Sequence, residues 1–439
     1  MMFKRLVAFI VSVAISLPSF AFGPAFVPPN PLFINQLQTT LVPQRSGTTA
    51  GAVPTLTRAS TAYACGYGAA DVLPLAAYHI AVASGEARFT GARRISESVW
   101  SAVDANGVAL TSTNGATGGC NDARGPYGYQ AEGARSDVLG TTAAIRRTMT
   151  DVGWVVGATM TVGAATGTDR VASAGASLTG GAVTATNTVL FTTVLGSAAR
   201  TFSAWVRRKT GTGTIEMTDN GGTNWTDITS TLTTTYKLFQ VTRTQANPIV
   251  GFRITTNADA IEVDWNTLEA ASFANPTPIP LNVSKAADVL TYPTAGNVSG
   301  TVGSVYLEAM LGWGGTSPSN RDAFTVSNAA AGHTIGVQQN DATTTQWFRD
   351  GTNVNVATGL TDIGTALRAT AISYGGSTMS MVRSGAAAQS FSFDGDITPV
   401  TLGVGCDLSG NVNWFGTIRF IKLFPVALSA AKLQAMPTP

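Results

Sequence analysis

The segment Phe202-Ser203-Ala204-Trp205-Val206-Arg207 alternates between apolar side chains and side chains of mixed character. Successive side chains of a β-strand point to opposite faces, so one face of this segment carries Phe202, Ala204 and Val206. The opposite face carries the serine, the tryptophan and the arginine. The pattern predicts a half-buried strand whose outer face is polar and aromatic.

Turn signals and further alternating segments extend the β pattern in both directions. Asp219-Asn220-Gly221-Gly222 lies between residues 214–217 and 225–228, and Asp350-Gly351 lies between residues 345–348 and 353–356. An Asn or Asp followed by Gly accepts the positive φ of a tight hairpin turn, so both segments predict β-hairpins. Further strands are predicted at residues 183–189, 237–243, 249–255, 260–265, 305–310, 366–373, 378–383, 389–393 and 415–424, and one helix at residues 429–436.

The composition agrees with many short strands. Of the 439 residues, 44% are hydrophobic and only 12% are charged, against about 25% charged residues in an average domain. This balance argues against disorder and against long exposed helices, which need charged faces. The net charge is +2 from 27 basic and 25 acidic residues, with no long basic block. Nucleic acid is therefore not an expected partner.

Metal-binding and redox residues are scarce. The chain has 2 His and 3 Cys without zinc-ligand spacing, so a zinc site is not expected, and the redox compartment stays open. Oxygen ligands for calcium exist at Asn320, Asp322, Asn340 and Asp341, but their spacing specifies no site. No cofactor is therefore predicted, and Ca²⁺ stays unassigned.

The N-terminus has the pattern of a secretory signal peptide. Lys4 and Arg5 precede apolar residues 6–17, which are followed by Pro18 and Ser19-Phe20-Ala21. The apolar run is too short to cross about 30 Å of hydrocarbon, so no permanent membrane span is expected. The alternative is an uncleaved apolar tail that docks into a partner protein.

Several short sequence segments between residues 57 and 436 resemble segments of known proteins. They are residues 57–61 with 87–89, residues 128–136 (Gly-Tyr-Gln-Ala-Glu-Gly-Ala-Arg-Ser), Trp154, residues 263–265 with 268–273, residues 285–291, and residues 414–419 with 428–435. The phrases resemble those of bacteriophage virion proteins, chiefly tail-fibre or appendage proteins. The resemblance implies a carbohydrate-binding-module-like β-sandwich followed by a concanavalin-A-like lectin sandwich.

The prolines, the periodicity and the resemblance together predict an all-β chain with two jelly-roll-type β-sandwiches in series behind an extended, Pro-rich N-terminal arm. The predicted order is an apolar segment 1–21, a linker 22–56, an irregular short-strand region 57–143, the carbohydrate-binding-module-like sandwich 144–275, a linker 276–288 and the concanavalin-A-like sandwich 289–439.

Candidate catalytic residues are few. Glu262 and Asp264 lie two residues apart on one strand face and resemble part of the acidic run of concanavalin-like β-glucanases. The third carboxylate is missing, since Asn266 and Thr267 stand where it belongs, and Glu262 lies in the first sandwich. His79 and His333 lack a nearby nucleophile motif. The sequence predicts a protein that is not an enzyme.

Aromatic side chains beside polar ones are the remaining candidates for a site. Sugars stack their C–H faces on Trp rings and need polar groups at their edges. The candidate glycan-binding residues are Trp205 with Arg207, Trp225 with Asn224, Trp313, and Trp347 with Arg349. For each tryptophan the alternative is packing in a core, where this residue is buried on average.

These observations predict a non-enzymatic bacteriophage virion protein, a fibre, spike or head-decoration subunit that displays glycan- or receptor-binding sandwiches. Its partners would be other virion proteins and a cell-surface glycan, and analogy with fibres favours a homotrimer. One alternative is a secreted bacterial lectin-like protein that binds polysaccharide. A second alternative is a polysaccharide depolymerase, which needs a pair of carboxylates in a groove.

Overall fold

The computed structural model describes residues 39–41, 55–57, 62–65, 79–82, 89–90, 93–96, 99–101, 128–169, 171–274, 278–281, 284–294, 297–311, 321–327, 334–339, 346–350, 353–357, 368–383, 386–393, 401–406 and 414–436. These residues form 29 strands, two short α-helices and two 3₁₀ turns. The predicted all-β class is confirmed.

The strands fall into three groups along the chain. The early strands are β1 (Thr39–Leu41), β2 (Thr55–Thr57), β3 (Ala62–Cys65), β4 (His79–Val82), β5 (Phe89–Thr90), β6 (Arg93–Ser96), β7 (Val99–Ser101) and β8 (Gly128–Ala131). The middle strands are β9 (Trp154–Val156), β10 (Thr161–Ala165), β11 (Gly175–Thr179), β12 (Thr188–Thr192), β13 (Ala198–Thr210), β14 (Ile215–Thr218), β15 (Thr226–Asp227), β16 (Lys237–Gln245), β17 (Ile249–Ile254) and β18 (Ala260–Glu269). The late strands are β19 (Val289–Pro293), β20 (Val302–Leu311), β21 (Arg321–Ser327), β22 (Thr334–Gln339), β23 (Gln346–Asp350), β24 (Asn353–Ala357), β25 (Arg368–Gly375), β26 (Thr378–Arg383), β27 (Gln389–Ser392), β28 (Thr401–Val404) and β29 (Gly416–Phe424).

The middle strands make the first sandwich from two antiparallel sheets. One sheet has the order β10-β11-β18-β13-β16, and the other has the order β15-β14-β17-β12-β9. Phe202, Ala204 and Val206 on β13 point into the core between the sheets, as their alternation predicts. The opposite sheet contributes Met217 and Phe252 to the same core.

The outer face of β13 is more buried than the prediction of a half-buried strand implies. Trp205, Tyr236 and Trp265 form a second buried cluster there, and Leu238 and Leu281 pack against it. Trp205 is 1% exposed. Both faces of the strand are therefore covered at this point, because a segment distant in sequence folds over it.

The late strands and several early ones make the second sandwich. The larger sheet has the order β27-β26-β25-β20-β29-β8-β5, with β1 also paired to β29. The facing sheet has the order β2-β19-β28-β21-β22-β23-β24. Strand β1 and the first two residues of β2 come from the predicted linker 22–56, so this sandwich gathers segments that are far apart in sequence. Its core includes Leu307, Phe324 and Trp414.

The predicted hairpins form at both turn signals. β14 pairs antiparallel with β15, and β23 pairs antiparallel with β24. The C-terminal helix α2 (Ala430–Gln434) is also confirmed, with the Ser429 hydroxyl accepting from the N–H of Lys432 at its N-terminus.

Two short elements correct the predictions. A four-residue helix, α1 (Ala143–Arg146), opens the first sandwich and is capped by Thr142, where only strands are predicted. Within predicted strand 183–189, Thr184–Thr186 form a 3₁₀ turn, and the strand begins at Thr188. No helix in the described part of the chain is long and apolar enough to cross a membrane.

Candidate functional site

The turn between β14 and β15 is held by the side chain of Thr218. Its hydroxyl oxygen accepts from the N–H groups of Asn220 at 3.2 Å and Gly222 at 3.1 Å. The Asn220 side-chain oxygen accepts from the N–H of Asn224 at 2.9 Å. The turn is also tied to β17, since the N–H of Gly221 donates to the carbonyl of Ile249 at 2.9 Å. These bonds tie the turn to its own residues and to the neighbouring strand β17.

Gly222 brings the turn into contact with the indole of Trp225. Gly221 and Gly222 have φ angles of +69° and +88°, a region in which side chains other than glycine are strained. A Cβ added at Gly222 would lie 2.8 Å from Cζ2 of Trp225. Glycine is therefore required here both by the backbone angle and by the ring beside it.

Arg253 on β17 lies over the Trp225 ring. Its guanidinium carbon is 4.5 Å from the ring centroid, within the range of a cation–π contact. The Nε of Arg253 is 2.5 Å from a carboxylate oxygen of Glu216 on β14. The indole is thus placed by the turn on one side and by an ion-paired arginine on the other.

A row of polar residues crosses the outer face of this sheet beside Trp225. Asp227, Glu216, Arg253 and Thr188 are register partners on β15, β14, β17 and β12. Hydrogen bonds from the Thr229 hydroxyl and N–H lower the pKa of Asp227, so this exposed carboxylate is ionised at neutral pH. We call Trp225, Asn224, Asp227, Glu216 and Arg253 the Trp225 platform.

Among the tryptophans whose side chains the structure describes, Trp225 is the one that is not buried. The predicted neighbour Asn224 is exposed at the same turn. Trp205 lies on the other sheet of the sandwich and is enclosed by Tyr236 and Trp265. A sugar cannot stack on the Trp205 ring in this structure.

Arg207 stays partly accessible on that other sheet. Its guanidinium carbon lies 4.7 Å from the Tyr236 ring centroid, and its Nη2 is 2.5 Å from Glu262. It is therefore separated from the Trp225 platform by the thickness of the sandwich. Trp347 and Arg349 belong to β23, but their side chains lie outside the described residues, as does all of Trp313.

The carboxylates of Glu262 and Asp264 are both held by arginines. Glu262 is paired with Arg207, while Asp264 is completely buried and accepts from Nε and Nη2 of Arg147 at 2.8 and 2.9 Å. Asp264 also accepts from the N–H of Thr168 at 2.7 Å. Both carboxylates are therefore engaged in ion pairs with arginines.

The described residues contain no cluster of three or more His, Cys, Asp or Glu that could hold a metal ion. Of the calcium candidates, Asp322 accepts a hydrogen bond from the Gln338 side chain. Asn320, Asn340 and Asp341 lie outside the described residues.

The sequence analysis missed Arg253 and Glu216, the residues that fix the Trp225 ring. Alternation along β17 and β14 could have indicated them, because Phe252 and Met217, their neighbours in sequence, are core residues. What alternation could not supply is the register that brings the two strands together beside the turn.

Comparisons with known proteins give weak likenesses only. No family model matches the chain, and no curated protein matches it. Among solved structures it is similar to the Ruminococcus gnavus IT-sialidase CBM40 bound to α2,3-sialyllactose, with 11% identity and a TM-score of 0.27 over 33% of this chain and 89% of that one. It is also similar to domain 4 of AbnA, a GH43 extracellular arabinanase from Geobacillus stearothermophilus, in complex with arabinotriose, with 20% identity and a TM-score of 0.26 over 34% and 72%.

A third similar structure is the N-terminal CBM22-1–CBM22-2 tandem of Paenibacillus barcinonensis Xyn10C, with 11% identity and a TM-score of 0.23 over 68% of this chain and all of that one. Nothing in these three likenesses points to a bacteriophage protein or to a concanavalin-A-like domain, and those two parts of the sequence resemblance stay predictions. TM-scores this low do not identify a ligand or an activity.

Proposed function

We propose that this protein is a non-enzymatic glycan-binding protein and that the Trp225 platform is its binding site. The observation that carries the proposal is a partly exposed tryptophan on a turn that is held by its own hydrogen bonds. A sugar ring can lay a C–H face on the indole surface that Arg253 leaves open. Because the turn is already ordered, binding need not fix a mobile loop, and that lowers its entropic cost.

The polar groups of the platform suit a ring with several hydroxyls. Asp227 and Glu216 accept hydrogen bonds, Arg253 donates them, and the Asn224 amide does both. Glu216 and Arg253 neutralise each other at 2.5 Å. The platform therefore favours a neutral sugar with edge hydroxyls over a strongly charged one.

The proposal can be tested on a glycan array with the full-length chain, followed by calorimetric titration of the best neutral oligosaccharide. We expect Trp225→Ala to weaken binding by about tenfold or more, since stacking on an aromatic ring is worth about 1–3 kcal/mol. Trp225→Phe should lose less, because a ring remains.

Val155→Ala is the matched control. Val155 is 64% exposed on the outer face of the same sheet, on strand β9. Its truncation should leave both the fold and the binding unchanged. Glycan binding that survives Trp225→Ala at full strength would show that the site lies elsewhere, and absence of binding to every array glycan would contradict the proposed function.

The absence of catalysis is part of the proposal. Support comes from Glu262 and Asp264, which are engaged by Arg207 and Arg147 rather than held ready for proton transfer. Incubation of the bound oligosaccharide with the protein should release no shorter product in mass spectrometry. Product release would favour the depolymerase alternative.

We also propose that the binding site is displayed on a virion appendage, with a secreted lectin-like protein as the alternative. The support is the set of sequence phrases that resemble tail-fibre and appendage proteins. Mass spectrometry of the N-terminal peptide from the native source separates the two locations. An intact Met1 in purified particles supports the virion, and a start at Phe22 in the medium supports secretion. Light scattering of the purified protein measures how many chains associate and so tests the predicted homotrimer.

A further inference from the structure

Two arginines share a pair of phenylalanine rings where the two sandwiches meet. The guanidinium carbon of Arg135 lies 4.4 Å from the ring centroids of both Phe273 and Phe415. The guanidinium carbon of Arg321 lies 5.5 Å from Phe273 and 4.8 Å from Phe415. Phe273 follows the last strand of the first sandwich, and Phe415 precedes β29 of the second.

The positive charges of this arginine pair are nearly removed from water. The Arg135 side chain is 12% exposed, and Arg321 is 7% exposed. Burial and the charge of Arg135 lower the pKa of Arg321 to about 10, although Asp322 opposes the shift. Two buried like charges this close are unfavourable unless something negative joins them.

Carboxylates of the described residues compensate the arginine pair only in part. Glu269 approaches Nε of Arg135 to 3.5 Å. Within the described residues, Nε and Nη2 of Arg135 and Nε of Arg321 have no hydrogen-bond partner, and Arg321 forms no ion pair. Asp322, next to Arg321, also accepts a hydrogen bond from the Gln338 side chain. These three buried nitrogens are therefore unsatisfied donors.

Two other charged groups at this junction are paired with each other. Nζ of Lys285 is 2.8 Å from a carboxylate oxygen of Glu132, and both side chains are completely buried. The N–H of Glu132 donates to Asp288 at 2.9 Å. These groups hold the backbone of Arg135, whose N–H donates to the carbonyl of Lys285 at 2.9 Å. They fix the position of the first arginine without satisfying its guanidinium.

We propose that Arg135 and Arg321 bind an oxyanion, a carboxylate or a sulfate group, at the junction of the sandwiches. Guanidinium groups present parallel N–H donors that match two oxygens of such a group. The phenylalanine rings hold the guanidinium planes and keep the site dry, which strengthens each charged hydrogen bond. The site is separate from the Trp225 platform and takes a different chemical class of ligand.

The test is a thermal-unfolding titration of the full-length chain with sodium sulfate and, in a second arm, with sodium acetate. Sodium chloride at equal ionic strength is the reference. We expect a saturable rise in the unfolding temperature with at least one oxyanion, and the two arms tell sulfate from carboxylate. Arg321→Met should weaken the apparent affinity by about tenfold or more, the usual effect of losing charged hydrogen bonds.

Arg243→Met is the matched control, because Arg243 is 2.6 Å from Asp219 in the first sandwich and lies outside the junction. It should keep the full response, and so should Trp225→Ala, which separates this site from the glycan site. A response no larger than that of chloride in both arms, or one that persists in Arg321→Met, would overturn the proposal.

Discussion

The two sandwiches each hold an aromatic residue beneath a pair of arginines, but within the described residues only one pair is neutralised by carboxylates. In the first, Arg146 and Arg147 lie 5.5 and 4.4 Å from the Trp265 ring centroid. In the second, Arg135 and Arg321 lie over Phe415. Trp265 and Phe415 have φ angles of +53° and +55°, which tertiary contacts must hold in place.

The difference lies in the carboxylates. Nε of Arg146 is 2.6 Å from Asp137, and Arg147 is 2.8 Å from both Asp264 and Asp169. Among the described residues, the ion pair of the two arginines at the junction is the 3.5 Å approach of Glu269 to Arg135. An arginine stacked on an aromatic ring can thus belong to a completed cluster, in which carboxylates pair with its guanidinium. It can also belong to an incomplete cluster, in which they do not.

The largest expected effect comes from opening the completed cluster. Arg147→Met leaves the fully buried Asp264 without its main counter-charge, so we expect a loss of about 3–5 kcal/mol in the free energy of unfolding. Urea-induced unfolding followed by tryptophan fluorescence measures it.

The double variant Arg147→Met with Asp264→Asn should recover part of this loss, since the unpaired charge is then absent. A loss below about 1 kcal/mol in Arg147→Met alone would show that the ion pair contributes little, and the contrast between the clusters would disappear.

A smaller effect is expected from pH. Burial raises the pKa of Asp137 to about 6, against the opposing effects of Arg146 and two backbone N–H groups. The folded protein therefore binds a proton more tightly than the unfolded chain. This contribution to stability is full below the ordinary pKa of an aspartate and is lost as the pH rises through about 6.

When the pH falls from 7 to 5, protonation of Asp137 should add about 1 kcal/mol to the free energy of unfolding. The slope of stability with pH is measured for wild type and for Asp137→Asn, and the difference isolates this residue. Equal slopes would mean that Asp137 keeps its ordinary pKa in the folded protein. Arg135 and Arg321 should add no pH dependence of stability between pH 5 and pH 7, because arginines do not titrate there.

The sequence predicts the parts of this comparison that depend on local pattern. Alternation indicates the inward face of β13, and Asn220 with Gly221 indicates the turn that carries Trp225. It does not indicate that Trp205 is enclosed, because Trp265 and Leu281 reach it from more than 50 residues away. The 3₁₀ turn at Thr184–Thr186 is missed since alternating threonines also satisfy a strand pattern, while in the fold the Thr186 hydroxyl pairs with Thr159.

The arginine clusters are the least predictable part. Arg135 and Arg321 are 186 positions apart, and their shared rings come from two sandwiches. A sequence shows the arginines but not whether a carboxylate meets them. That depends on the register with which distant strands pair.

The smallest expected effect is the most informative for the comparison. Without added oxyanion, Arg321→Met should change the free energy of unfolding by less than about 1 kcal/mol, because the lost cation–π contact is offset by removal of a buried charge beside Arg135. The same urea titration used for Arg147→Met measures it in chloride buffer. A loss as large as that of Arg147→Met would mean that the chain itself supplies a counter-charge to Arg321, and the junction would then be a second completed cluster rather than a binding site. A near-neutral change, together with the loss of the sulfate or acetate response, is the result that only an incomplete cluster predicts.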